Sequence, residues 1–125
     1  MAGLTPDTPW PTEITLQQAS QRLRVVFSDG QAFDFTSEFL RVLSPSAEVR
    51  GHGPGQETLQ TGKRRVGIQE VSPIGHYAIQ LHFSDGHNTG IYSWDYLLDL
   101  GQHQDEYWAQ YLNRIEAAGA TRDTH

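Results

Sequence analysis

The chain's acid–base and ligating capacity rests on six histidines, nine Lys and Arg, and fifteen Asp and Glu, with no cysteine. The missing cysteine excludes a thiol nucleophile, a Cys-based zinc finger, a Cys-ligated iron–sulfur cluster and a disulfide scaffold. His52, His76, His82, His87, His103 and His125 include no pair at the HxH or HxxxH spacing that puts two imidazoles on one metal. His103-Gln104-Asp105 matches the His-x-Asp pair of iron oxygenases. It stands at a helix entrance, however, and the chain has no room for an oxygenase barrel beside its other elements. No Gly-x-Ser-x-Gly elbow presents a serine nucleophile. Around Asp85-Gly86-His87 there are residue types for acid–base work, but no constellation that would use them. The reading is of a protein without catalytic residues.

Ser44 to Gly67, SPSAEVRGHGPGQETLQTGKRRVG, has a different chemical character. It holds five of the twelve glycines and four of the nine basic residues. From Arg50 to Arg65, four cations stand against the single Glu57, giving +3 inside a chain of net charge −6. Two readings stand side by side. Glycines let backbone N–H groups crowd round an anion, so Arg50, His52, Lys63, Arg64 and Arg65 could form an interaction loop for an anionic ligand or an acidic protein partner. Alternatively the loop is solvated and its cations pair with Asp and Glu across the fold. Gly62-Lys63 is not a phosphate-binding P-loop, because Glu57 and Arg64 occupy the required Gly and Ser/Thr positions.

The elements that must position these residues follow from length and patterning. With 125 residues, 37% of them apolar and 10% aromatic, the chain suits one domain. The acidic balance argues against nucleic acid as a general partner. No signal-like or membrane-length apolar run is present, so a cytoplasmic, non-membrane protein is expected. The clearest pattern is a duplication. LRVVFSDGQAFDFTSEFLRVL (23–43) parallels IQLHFSDGHNTGIYSWDYLLDL (79–100), with Phe-Ser-Asp-Gly offset by 56. After one inserted residue the offset becomes 57, pairing Phe35 with Tyr92, Phe39 with Tyr96 and Leu40 with Leu97.

In each copy the period of two in Leu23-Val25-Phe27 and Tyr77-Ile79-Leu81-Phe83 predicts a half-buried strand. Asp-Gly predicts a tight turn, a second short strand follows, and Ser37 or Ser93 is expected to cap a short helix. Gly101 is expected to end the second helix. Further strands are expected near Ile14–Leu16 and over Val66–Ser72, with Val66, Ile68 and Glu70 on one face. Tyr107, Trp108, Tyr111, Leu112 and Ile115 form an apolar stripe on a last helix from about Asp105 to Ala118. The fold class is α+β: duplicated β-hairpin plus short helix units forming a mostly antiparallel sheet system, closed by a C-terminal helix. Residues 1–11 read as a flexible lead-in, 12–119 as the domain and 120–125 as a frayed tail.

The run SPSAEVRGHGPGQ, the Gly-Lys-Arg and FSDGHNTGIYSWDYL together resemble a bacterial family of small stand-alone proteins similar to the N-terminal domain of gamma-butyrobetaine hydroxylase. In the hydroxylases this domain precedes the 2-oxoglutarate oxygenase barrel and is not itself catalytic. There it holds a structural zinc with a Cys-Pro-Cys-x-x-Cys run and a histidine. The resemblance implies that Ser44, Ser46 and Val49 stand at the cysteine positions and that His87 is the surviving ligand. The expectation is a lost zinc site with no cofactor. A weak zinc or iron site using His87 and His52 is the alternative. A related domain resembles an appendage of iron–sulfur carrier ATPases. The functional expectation is therefore a non-catalytic binding or adaptor domain. The alternatives are an accessory factor in iron–sulfur or oxygenase cofactor maturation, and an uncharacterised enzyme.

Overall fold

The computed structural model describes residues 7–51 and 57–123. Two three-stranded antiparallel sheets share one core. The first contains β1 (Pro11–Gln17), β2 (Arg22–Phe27) and β3 (Ala32–Thr36) and leads into α1 (Ser37–Val42). A short α2 (Ala47–Arg50) precedes the second sheet, made of β4 (Ile68–Ile74), β5 (Ala78–Phe83) and β6 (Ile91–Ser93). The chain ends in α3 (Trp94–Gln102) and α4 (Gln104–Ala117). The α+β class and the duplication are as the sequence predicts. Among the described residues, no helix is long and apolar enough to cross a membrane.

The repeated unit is larger than a hairpin and a helix. β1 and β4 are both seven residues long and start 57 positions apart, at Pro11 and Ile68. Each carries a register shift at the same place, Pro11/Glu13 and Ile68/Glu70. Each copy is thus a three-stranded meander followed by a helix. The bulge also explains a difference from the expected face of β4. An extra residue re-aims the strand, so Ile68 is buried while Glu70 is exposed and Val71 packs on the core.

The alternation predicted in β2 and β5 buries Leu23, Val25, Phe27, Ile79, Leu81 and Phe83. Tyr77, read as the first of its row, is exposed in the β4–β5 turn, and the core begins at Ala78. Thr36, not Ser37, caps α1, its hydroxyl accepting the Phe39 N–H at 3.1 Å. Ser37 is buried and donates to the Gln21 carbonyl instead. Ser93 stands at the N-cap of α3 but makes no side-chain cap bond, because its hydroxyl bonds the Asp95 carboxylate.

Gly101 does not end α3. It lies inside the helix, where a Cβ would stand 2.5 Å from the Phe33 ring. The glycine lets the helix approach β3 closely. The corresponding stretch after α1 contains Pro45, which biases the residue before it away from helical geometry, so α1 is shorter. In α4 the stripe buries Tyr111 and Ile115 against Val42, with Trp108 packed alongside and Leu112 37% exposed.

The expected frayed tail is tied down as far as Asp123. Arg122 meets Glu38 through two bonds of 2.8 and 2.7 Å and lies 4.9 Å from the centre of the Trp108 ring. Its carbonyl accepts the Arg64 N–H, and that of Thr121 accepts the Gly62 N–H. Of the lead-in, residues 1–6 lie outside the described residues. Trp10 is already paired with Ser28, extending the β1–β2 ribbon.

Candidate functional site

Ser44, Ser46, Val49 and His87 converge. Ser44 and Ser46 leave α1, Val49 lies on α2, and His87 follows the second Asp-Gly turn. The Ser44 hydroxyl lies 2.9 Å from His87 Nε2, and His87 Nδ1 lies 3.0 Å from Glu48 Oε2. A carboxylate only accepts, so Nδ1 carries the proton of the neutral ring and Nε2 accepts from Ser44. Ser44 Oγ also accepts the Ser46 N–H at 3.3 Å, and Ser46 Oγ meets Thr89 Oγ1 at 2.7 Å. Burial, reinforced by the Arg41 charge, lowers the His87 pKa below the ordinary imidazole value, with Glu48 and Asp85 opposing.

Asp85 anchors the surroundings. Its Oδ1 accepts the His87 N–H, while Oδ2 accepts Arg41 Nε at 3.0 Å and Lys63 Nζ at 2.8 Å. Burial disfavours its charge. Bonds from Lys63 and the His87 N–H, with the Arg41 charge, more than offset this and hold its pKa at about 2. Arg41 continues to Gln60 at 3.0 Å. Loop, turn and helix are thus tied by one polar network. Among the described residues, no buried side-chain N or O lacks a partner.

The Ser44–His87–Glu48 row has the connectivity of a nucleophile, its base and an orienting acid. Its setting is wrong for attack. Ser44 is 0% and His87 6% exposed. Gly90 lies so close that a Cβ there would be 2.5 Å from Ser44 Oγ. A sealed hydroxyl reaches no substrate.

The same cluster fails as a zinc site on donor chemistry. Two neutral hydroxyls, a hydrocarbon and one imidazole do not replace three thiolates, and the imidazole already bonds at both nitrogens. Among the described residues, no three His, Asp or Glu side chains gather as a metal set. His52, the other ligand candidate, lies outside the described residues.

The basic segment is largely consumed by the fold. Lys63 pairs with Asp85, and Arg64 with Asp123 at 2.7 Å. Arg50 donates to the Tyr96 hydroxyl at 3.0 Å and lies 5.7 Å from the centre of that ring. Arg65 is exposed and has no ion pair among the described residues. Arg50 also borders a groove of about 280 Å³ between the end of α1, α2, the 57–60 stretch and helices α3 and α4. Val42, Leu43, Val49 and Leu100 line it, with Tyr96, Tyr107 and Tyr111, and Arg114 lines it from α4. The Tyr107 hydroxyl donates to both Asp99 oxygens at 2.9 and 3.0 Å. Burial and that carboxylate push its pKa up to about 12. Burial, with Glu38 nearby, does the same for Tyr111.

Sequence reading missed Glu48, Thr89 and Arg114. Glu48 and Thr89 carried one signal, since they sit one or two residues from positions already singled out. Arg114 carried none, because a lone arginine on a polar helix face resembles any solvated cation.

The fold and site define a class: a small α+β domain of two meander-helix copies, closed on a buried polar clasp. The chain belongs to the family described as gamma-butyrobetaine hydroxylase-like, N-terminal, whose model matches residues 14–98. Two solution structures determined by NMR are similar to it. One shares 45% identity over 93% of this chain and 91% of its own, with a TM-score of 0.81. The other shares 48% over 96% and 91%, with a TM-score of 0.80. A crystal structure of a protein of unknown function from Acidithiobacillus ferrooxidans, of the DUF971 family, shares 45% identity over 73% of this chain and 91% of its own, with a TM-score of 0.62. None of the curated proteins matches the chain.

Proposed function

We propose that the protein is a non-catalytic binding domain of the cytoplasm and that its recognition face is the groove beside Arg50. One observation carries the reading: the groove is an open concave surface bordered by half-buried Leu43 and Tyr107, whereas the serine of the Ser44–His87–Glu48 row is sealed at 0% exposure. The interaction loop expected over Arg50–Arg65 narrows accordingly. Lys63 and Arg64 serve the fold, and Arg50 serves the groove. The donor chemistry at Ser44, Ser46, Val49 and His87 supports a protein that does its work without zinc or iron.

Amide chemical-shift mapping against a panel of small acids, amines and neutral aromatics tests this. The expected result is shifts clustered on Val49–Gly51, Leu100 and Arg114, unchanged in kind by Ser44→Ala. Hits that cluster elsewhere, or turnover of any probe that depends on Ser44, would refute it.

A further inference from the structure

We infer that the groove selects a carboxylate carried on a small apolar body. This rests on the binding reading above and adds the ligand's chemistry. Most cations find their counter-charges within the fold. Five of the nine meet a carboxylate: Arg24, Arg41, Lys63, Arg64 and Arg122. In a chain with fifteen acids, a partner is easily supplied. Among the described residues four cations lack one (Arg22, Arg50, Arg65 and Arg114), and two of these, Arg50 and Arg114, line the same groove. Arg50 is held by a neutral phenol instead, through the 3.0 Å bond to Tyr96. That contact orients the guanidinium without neutralising it.

The remaining groups restrict the anion. The Tyr96 and Tyr111 hydroxyls spend their protons on the Leu43 and Gln60 carbonyls, so the guanidiniums are the charged donors left. Glu57 and Asp99 also border the groove, and Asp99 is engaged by Tyr107. Glu57 and Asp99 repel a second negative charge, so a monoanion beside Arg50 and Arg114 suits the groove better than a dianion such as phosphate. A single carboxylate can lie flat against a guanidinium and take two parallel N–H bonds. Behind it, the half-buried Leu43 side chain and Tyr107 ring border the groove beside Val42, Val49 and Leu100, which are already buried. Leu43 and the Tyr107 ring offer apolar contact to an apolar body.

The test compares phenylacetate, phenylacetamide and inorganic phosphate by amide shifts on the labelled full chain at millimolar concentrations. Phenylacetate is expected to shift Arg50, Leu100 and Arg114. The amide should bind about ten-fold more weakly, which is about 1.4 kcal/mol. Arg114→Ala should weaken the acid and leave the amide unchanged. Arg50→Lys, which keeps the charge but not the fork, should weaken it less than Arg114→Ala. Arg22→Ala, an exposed cation on β2, should change nothing.

Equal binding of acid and amide in the groove overturns the carboxylate inference while leaving the binding reading standing. Tighter binding of phosphate than of phenylacetate overturns it too, as does equal loss in Arg22→Ala. Absence of groove shifts with either aromatic probe overturns both.

Discussion

The two Asp-Gly turns are built alike and used differently. Gly30 and Gly86 have φ of 91° and 87°. Asp29 Oδ1 accepts the Gln31 N–H at 3.1 Å, and Asp85 Oδ1 accepts the His87 N–H at 3.2 Å. Both turns close with the same backbone bonds, from Phe27 to Gln31 and from Phe83 to His87. Both Ser-Asp-Gly tips are exposed, yet His87 is buried where Gln31 is half-exposed. Asp29 spends its second oxygen on the neighbouring Gln31, whereas Asp85 spends its own on Arg41 and Lys63. His87 reaches Ser44 and Glu48. The backbone of a turn is local property. Its importance comes from what packs against it.

The largest way to break the comparison is to give the second turn a metal. Ser44→Cys with Ser46→Cys and Val49→Cys should create a Cys₃His set with His87. It should then hold about one zinc with roughly 10 kcal/mol of binding free energy, as structural zinc sites do. Elemental analysis after purification without chelator reads this. Zinc in the unaltered protein that disappears with His87→Ala would show the clasp reading to be wrong.

Next comes the aspartate pair itself. Asp85→Ala strands Arg41, whose side chain is only 7% exposed, and should cost about 3 kcal/mol in urea unfolding. Asp29→Ala should cost about 0.5 kcal/mol or less, as surface changes do. Equal costs would mean that the turns do not differ as described.

His87→Gln places the first copy's residue in the second copy. It should cost about 2 kcal/mol by leaving buried partners unsatisfied. It should also alter the pH profile. The folded His87 has a lowered pKa, so below the unfolded value near 6.5 the unfolded chain binds the proton first. Stability therefore falls as pH drops through that region in the native protein, and the slope should flatten in His87→Gln. A second fall is expected below about 3.8, as Asp85 protonates toward its folded pKa of about 2. Thermal melts across pH distinguish the two windows.

Gly101→Ala tests the helices. A methyl meeting the Phe33 ring at 2.5 Å should cost about 1–3 kcal/mol even though alanine favours helix. The smallest contrast is Thr36→Ala, about 1 kcal/mol for a lost cap, against Ser93→Ala, a few tenths, since Ser93 makes no cap bond.

Much of this was legible along the chain. The shared Phe-Ser-Asp-Gly and the alternation around it name two hairpins, and Asp-Gly leaves little choice of turn. The first strand of each copy was harder. PTEITLQ and IQEVSPI share only a short match, Glu13-Ile14-Thr15 with Glu70-Val71-Ser72, and their common bulge shows only in the pairing register. Gly101 misled because a glycine near a helix end normally stops it. Only the approach of Phe33 reveals the other use.

The sequence by itself determined the duplication, the α+β class, the covered stripe of α4 and the absence of thiolate at Ser44, Ser46 and Val49. These follow from residue type and short-range period, which act within a few residues. Only the tertiary structure decided where the charges went. Lys63 meets Asp85 across twenty-two residues, and Arg122 meets Glu38 across eighty-four. Charge pairing has no sequence period. The +3 stretch that looks like a basic surface became three anchored cations and an exposed Arg65, with one of the three, Arg50, lining a groove.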